Sequence, residues 1–307
     1  MKTIAFFVRS IDPAKPPFLR SDIDSADWGY AYQQYFLALN AAGAKTYFVS
    51  GNDTYEGEGR FSKSWTIEKA LDVPEFHESG PIKADLVFEK GGFEGRDILT
   101  VSDPKIREIC NKAETLRRFG AFQPKSVMVD NATALAEAVQ AMPGEMVVVK
   151  NPAGSGGDQV YIARKNELKV PGTETYPLLV QEFVDMSEGV PGLAKGPHDL
   201  RILIAGGTVT GGMLRQPLEG RYHANAGQGA SVELLRKSQI PAEAAELALK
   251  IDEDLKQWPR FYAADFARGK QGWKLIELNA KPGLFYRGVE DVAREHIQGL
   301  VSYLIGL

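Results

Sequence analysis

Cysteine is nearly absent from this chain of 307 residues: Cys110 is the single one, so no intramolecular disulfide can form. With four histidines beside that one thiol, no Cys/His cluster has the spacing of a zinc site. A reducing, cytoplasmic setting is the expectation. Long apolar runs are also missing. The opening stretch Ile4–Val8 is cut by Arg9 and Asp12 before it reaches the ~7–15 residues of a signal-peptide core. No run approaches the ~18 residues of a membrane span. Nor is there a strong charge of either sign: 36 basic against 40 acidic residues leave −4, which supplies no field to hold nucleic acid or an anionic membrane. What remains, at 44% apolar and 25% charged residues, is a globular composition. The length allows one large or two to three small domains of ~100–200 residues.

Two nucleotide fingerprints are lacking as well. No G-x-G-x-x-G follows the first apolar run, which speaks against a dinucleotide-binding oxidoreductase, and the G-x-x-x-x-G-K-[ST] order of a P-loop does not occur. No Ser-His-Asp or Cys-His arrangement recommends itself for nucleophilic catalysis.

What is present reads as alternating strands and helices. Thr3–Val8 predicts a strand, 30–42 a helix closed by Gly43, Thr46–Ser50 and 84–89 further strands, and thus an open α/β sheet over 1–103. The stretch 51–81 has no assignable pattern. A helix is expected over 105–119 with Asp103 as its N-cap and Gly120 as its stop. Strands follow at 126–130, 145–150, 159–163 and 178–184, with a helix at 132–141. Beyond lie a hairpin of Asp199–Ala205 and Thr208–Gln216 across Gly206-Gly207, a Gly- and Asn-rich loop at 222–230, and a helix over 242–257. Paired strands at 261–267 and 273–279 and a closing helix at 290–305 complete the chain. The expected division is 1–103, 104–185 and 186–307.

Three groups of residues carry chemistry. On a strand, side chains at i and i+2 share a face, so Glu277 and Asn279 point together while Ile276 and Leu278 point to the core. A turn at Lys270-Gln271-Gly272 sets Asp265 opposite Glu277. Two carboxylates and an amide oxygen on one surface are hard donors suited to Mg²⁺; the alternative is a solvated face with pairing of the Asp265–Lys274 kind. Lys150 ends a β-branched strand and is followed by Gly154, Ser155, Gly156 and Gly157, whose backbone N–H groups can cradle phosphate. The alternative there is an ordinary hairpin tip. Asp199, Arg201 and Arg215 lie on one hairpin. Either Asp199 and Arg201 pair with each other, or the guanidinium forks clamp a transferring phosphoryl group.

Taken in order, Asn111-Lys112, Val147–Lys150 with its glycines, Leu179–Val184, Asp199-Leu200-Arg201, Met213-Leu214-Arg215, Asn225, and Asp265 with Glu277 through Gly283 resemble the ATP-grasp superfamily of carboxylate–amine ligases. The resemblance is nearest to the glutathione synthetase and ribosomal-protein glutamate-ligase branch and covers roughly 105–290. It implies an α/β ATP-grasp fold: an N-terminal open α/β domain that helps shape the acceptor site, a small lid subdomain and a C-terminal mixed-sheet subdomain. It further implies ATP with Mg²⁺, or Mn²⁺ in its place. Lys112, Lys150 and the loop Gly154, Ser155, Gly156 and Gly157 would hold the phosphates. Gln181, Glu182 and Val184 would read the adenine and Asp185 the ribose. Asp265, Glu277 and Asn279 would hold the metal, Arg215 and Arg201 would stabilise an acylphosphate, and Asn225 would sit near the γ-phosphate. The partners implied are a small-molecule or peptide carboxylate and an amine, with homo-oligomers common in the family. Within that reading the rivals are a D-alanine–D-alanine-like ligase and a nucleotide-binding regulatory or peptide-binding protein without turnover.

Overall fold

The computed structural model describes residues 1–11, 25–154, 159–222, 224, 229–284 and 286–307. Three main sheets organise the chain. The first lies in the N-terminal part of the chain, which runs β1 (Thr3–Val8), α1 (Ser25–Ala41), β2 (Lys45–Ser50) and a series of short strands: β3 (Tyr55–Gly57), β4 (Arg60–Phe61), β5 (Trp65–Thr66), β6 (His77–Glu78), β7 (Ile82–Lys83), β8 (Leu86–Glu89) and β9 (Thr100–Val101). Its order is β6-β5-β2-β1-β8-β9, with β1 parallel to both β2 and β8. β1 is buried on both sides, which is why it reads as a continuous apolar run rather than an alternating one. The unpatterned stretch 51–81 holds strands of two or three residues, too short to show a period of two; β3, β4 and β7 form a small sheet of their own.

The single helix expected over 105–119 is two: α2 (Pro104–Ile109) and α3 (Lys112–Phe119). Asp103 caps α2 by accepting from Lys105 N at 2.7 Å, and Asn111 caps α3 by accepting from Ala113 N at 3.0 Å. An asparagine that bonds the backbone two residues on ends one helix and begins the next. Both helices pack on the core of the C-terminal sheet, where Ile106, Ile109 and Phe119 meet Leu200, Ile202 and Phe266.

A second sheet comprises β10 (Ser126–Val129), β11 (Met146–Lys150), β12 (Val160–Arg164) and β13 (Leu178–Glu182) in the order β10-β13-β11-β12, covered by α4 (Ala132–Ala141). The third has the order β16-β15-β14-β17-β18: β14 (Asp199–Ala205), β15 (Thr208–Gln216), β16 (Ser231–Leu235), β17 (Phe261–Gly269) and β18 (Gly272–Asn279). All four of its pairings are antiparallel, where a mixed sheet was expected; two of them are tight hairpins, which admit no other direction. β16 lay hidden in the sequence beside a Gly-rich loop. One face of this sheet packs against α2, α3 and α5 (Ala242–Glu253). The other shares a core with α6 (Glu290–Gly306), α1 and the first sheet, through Leu203, Met213, Phe261, Leu300, Tyr35 and Phe6. No helix among the described residues is long and apolar enough to cross a membrane.

Candidate active site

Four strands of the third sheet bring their charged side chains to one place. Register sets Arg201 opposite Asp265, Asp199 opposite Arg215, and Asp265 opposite Glu277. Arg201 grips Asp265 with both arms of its fork, Nε to Oδ1 at 2.8 Å and Nη2 to Oδ2 at 2.7 Å. Arg215 Nη2 donates to Asp265 Oδ2 and to Asp199 Oδ2, each at 2.7 Å. Asp199 and Arg201 therefore do not pair with each other: each takes its partner from the neighbouring strand. Asn279 Nδ2 donates to Asp265 Oδ2 at 3.0 Å and to Glu277 Oε1 at 3.3 Å. Ile276 is the bulged residue of β18, so Leu275 and Leu278 face the core and Ile276 does not.

The electrostatics follow from burial. Loss of water alone would raise Asp265, yet Arg201 and Arg215 outweigh it and hold the carboxyl below its usual range. For Asp199 burial prevails over Arg215, and the carboxyl is pushed up.

Lysines from the second sheet and from α3 close the site. Lys150, at the end of β11, is 6% exposed and donates to Gln181 Oε1 at 2.8 Å, while Gln181 Nε2 donates to Ser126 Oγ at 2.9 Å. Burial pushes the Lys150 ammonium down to about 8; Lys112 adds to this and Glu277 opposes it. Lys112, the first residue of α3, donates to the carbonyl of Gly154 and lies 3.9 Å from Glu277 Oε2. Lys112 thus joins the start of the glycine loop to the carboxylate of β18.

Arg201, Arg215, Asp265, Glu277, Asn279, Lys112 and Gly154 form one bonded set, and the Lys150–Gln181 pair lies within the electrostatic reach of its Glu277. Glu182 and Asp185 stand apart from it. Glu182 Oε2 accepts from Lys125 N at 3.2 Å, and Asp185 accepts from Ser187 N at 3.1 Å with Lys270 at 3.3 Å. Val184 passes the hairpin of β17 and β18 so closely that a Cβ on Gly269 would come within 2.8 Å of its Cγ1. Ser155, Gly156, Gly157 and Asn225 lie outside the described residues. Sequence reasoning missed Ser126, which orients Gln181; a lone serine at a strand start carries no signal. It also missed Glu89 and Lys90, two charges directly after an apolar run and both buried.

The donor set fits a hard divalent cation. Among the described residues no three His, Cys, Asp or Glu groups come together as a metal cage. The site instead offers two carboxylates and an amide, which suits a cation that keeps waters and phosphate oxygens as its other ligands. Glu277, 30% exposed, is the least committed donor, and Asp199 Oδ1 is buried without a hydrogen-bond partner among the described residues.

Comparison with known proteins matches residues 112–297 to the RimK-like ATP-grasp domain. A probable alpha-L-glutamate ligase of Psychromonas ingrahamii is 27% identical over 207 residues, 66% of this chain. The chain spans 64% of the length of that relative. Among solved structures, a RiPP-associated ATP-grasp ligase of Chryseobacterium gregarium, in complex with ADP and a leader and core peptide, superposes with a TM-score of 0.62 at 11% identity, over 100% of this chain and 97% of that one. D-alanyl-alanine synthetase A of Vibrio cholerae gives 0.58 at 12% identity, over 99% and 98%.

Proposed function

Because the chain belongs to the RimK-like ATP-grasp family, we propose that it is an ATP-dependent carboxylate–amine ligase that forms an amide or peptide bond on an amino acid or peptide. The observation that carries this reading is the juxtaposition of Lys112 and Lys150 with the buried Arg201–Asp265–Arg215 network and Glu277. Cations on one side and fixed donors on the other suit a reaction in which phosphoryl charge must be neutralised and water kept out.

In this reading a substrate carboxylate oxygen attacks the γ-phosphorus of ATP, the bond to the β-γ bridging oxygen breaks, and ADP leaves an acylphosphate. The amine then attacks the acyl carbon, phosphate departs, and the amine gives up a proton. Lys112 and Lys150 hold the phosphates. Gln181, Glu182 and Val184 contact the adenine and Asp185 the ribose. Arg215 and Arg201 steady the developing oxyanion. Asp265, Glu277 and Asn279 would hold Mg²⁺, or Mn²⁺ in its place. When bound, the cation supplies charge neutralisation at the phosphate oxygens. The reading includes a cytoplasmic setting and homo-oligomers.

The test is ADP release from Mg·ATP in the presence of pooled amino acids, dipeptides and small carboxylates, followed by mass analysis. A product lighter by one water than its two parents establishes ligation and names them. Tight Mg·ATP binding without stimulation by any pool moves the acceptor to a macromolecule, and absence of ATP binding overturns the reading.

A further inference from the structure

The turn that carries Gly154 has a support outside the active site. β12 and β13 are joined by the segment 165–177. Within it Glu174 N donates to the Pro171 carbonyl at 3.0 Å, a tight turn from which the Glu174 side chain reaches back to the β11–β12 hairpin. Glu174 Oε1 accepts from Tyr161 Oη at 2.6 Å, and its Oε2 accepts from Asn151 Nδ2 at 3.1 Å and from Gln159 Nε2 at 3.2 Å. Asn151 directly follows β11, Gln159 directly precedes β12 and Tyr161 lies on β12, so one carboxylate ties the two arms of the hairpin together. Gln159 stands in the left-handed region at φ 57°, a conformation that a residue with a side chain keeps only where its surroundings hold it. Its carbonyl accepts from Asn151 N at 3.0 Å, and Glu174 holds its side chain.

Asn151 passes this constraint to the active site. It is 8% exposed, its Oδ1 accepts from Ala153 N at 3.0 Å, and its carbonyl accepts from Gly154 N at 3.1 Å. The carbonyl of Gly154 in turn accepts from Lys112 Nζ. A carboxylate accepts and does not donate, and the bond from Tyr161 holds Glu174 below the usual carboxylate range. Glu174 therefore draws the amide nitrogen of Asn151 toward itself and leaves Oδ1 for Ala153 N. Without that acceptor the amide is free to reverse, and the reversed amide sets Nδ2 against Ala153 N, donor against donor. The turn that presents the Gly154 carbonyl to Lys112 then loses its brace.

We propose that Glu174 is a positioning residue for the phosphate end of the nucleotide site, acting through Asn151 and the turn 151–154 to fix the direction of Lys112. The inference rests on the ligase reading above and adds a residue that touches neither nucleotide nor metal. The competing view makes Glu174 a brace of the hairpin alone.

The experiment is calorimetric titration of the full chain with Mg·ADP in a double-mutant cycle of Glu174→Ala and Lys112→Met, with melting temperature recorded for each variant. Glu174→Ala is expected to lose about tenfold in Mg·ADP affinity. In the Lys112→Met background the same change is expected to lose nothing further, because the side chain that it steers is gone. Glu174→Gln keeps an amide oxygen for Asn151 and an amide nitrogen for Tyr161 Oη, so it retains most of the wild-type affinity. Unchanged Mg·ADP affinity in Glu174→Ala overturns the inference. Losses that add in the double variant, or that follow the melting temperature in every background, make Glu174 a brace and overturn it as well. Wild-type affinity in Lys112→Met removes Lys112 from the phosphates and this role with it, whereas failure of wild type to bind Mg·ADP overturns the ligase reading itself.

Discussion

Asp265 faces Glu277 because Ile276 is bulged out of the ladder between them. The turn leaves Gly269 paired with Gly272, and a regular ladder from there sets Asp265 opposite Ile276 and sends Glu277 to the other face. One extra residue in β18 restores the carboxylate to the face that carries Arg201 and Arg215. The two acids then divide the work by environment: Asp265 is fully buried and held by arginines, while Glu277 is partly open and nearly unclaimed.

Replacing Asp265 with Ala leaves Arg201 and Arg215 without their shared counter-charge. Breaking a buried pair from one side costs about 3–5 kcal/mol, and urea denaturation reads it directly. The sign with pH follows from the lowered folded pKa. Wild type draws full benefit above the unfolded value of about 3.9 and loses it as pH falls below that value. Its advantage over Asp265→Asn therefore shrinks in acid and holds at neutral pH.

Glu277→Gln keeps size and leaves the arginine network intact, so the melting temperature stays near that of wild type. Metal-dependent ADP formation drops about 10²–10³-fold, the usual loss when one charge-stabilising group leaves an active site. Normal turnover in this variant would remove Glu277 from the metal set.

Lys150 gives the nucleotide site a pH limit. Its ammonium is lowered to about 8 before any phosphate is bound, so above that pH binding ATP requires proton uptake. ATP affinity is flat below pH 8 and falls above it, by at most about tenfold per pH unit. Lys150→Met binds ATP weakly at pH 7 and shows no such slope. If the variant keeps the wild-type slope, the titrating group is another one.

Asn111→Ala removes the cap that separates α2 from α3. The expected loss is about 1 kcal/mol, with weaker ATP binding because Lys112, the next residue, loses its fixed direction toward Gly154. Unchanged nucleotide affinity together with lower stability would confine the cap to a structural part.

Most of the strands were legible because their apolar runs are long and their turns carry glycine, as at Gly206-Gly207 between β14 and β15. The short strands between 51 and 83 were not, since two-residue strands are defined only by partners distant in sequence. The break at Asn111 was missed because the apolar period of α2 and α3 continues across it, and the cap is a single side-chain bond. The active-site residues were named from spacing and resemblance. Their pairing was not, because Asp199 and Arg201, two apart on one strand, look like natural partners until the flanking strands are in place.

By its own pattern the sequence determined that Glu277 and Asn279 share a strand face, since alternation at a period of two is local and needs no partner. It also determined that no dinucleotide fingerprint or P-loop is present. Tertiary structure alone decided register, through the bulge at Ile276, and so which carboxylate meets which arginine. It alone decided that Glu89 and Lys90 are buried beside Lys281, 192 residues from Glu89 along the chain, because burial and counter-charge are properties of surfaces that meet only after the first and third sheets have packed.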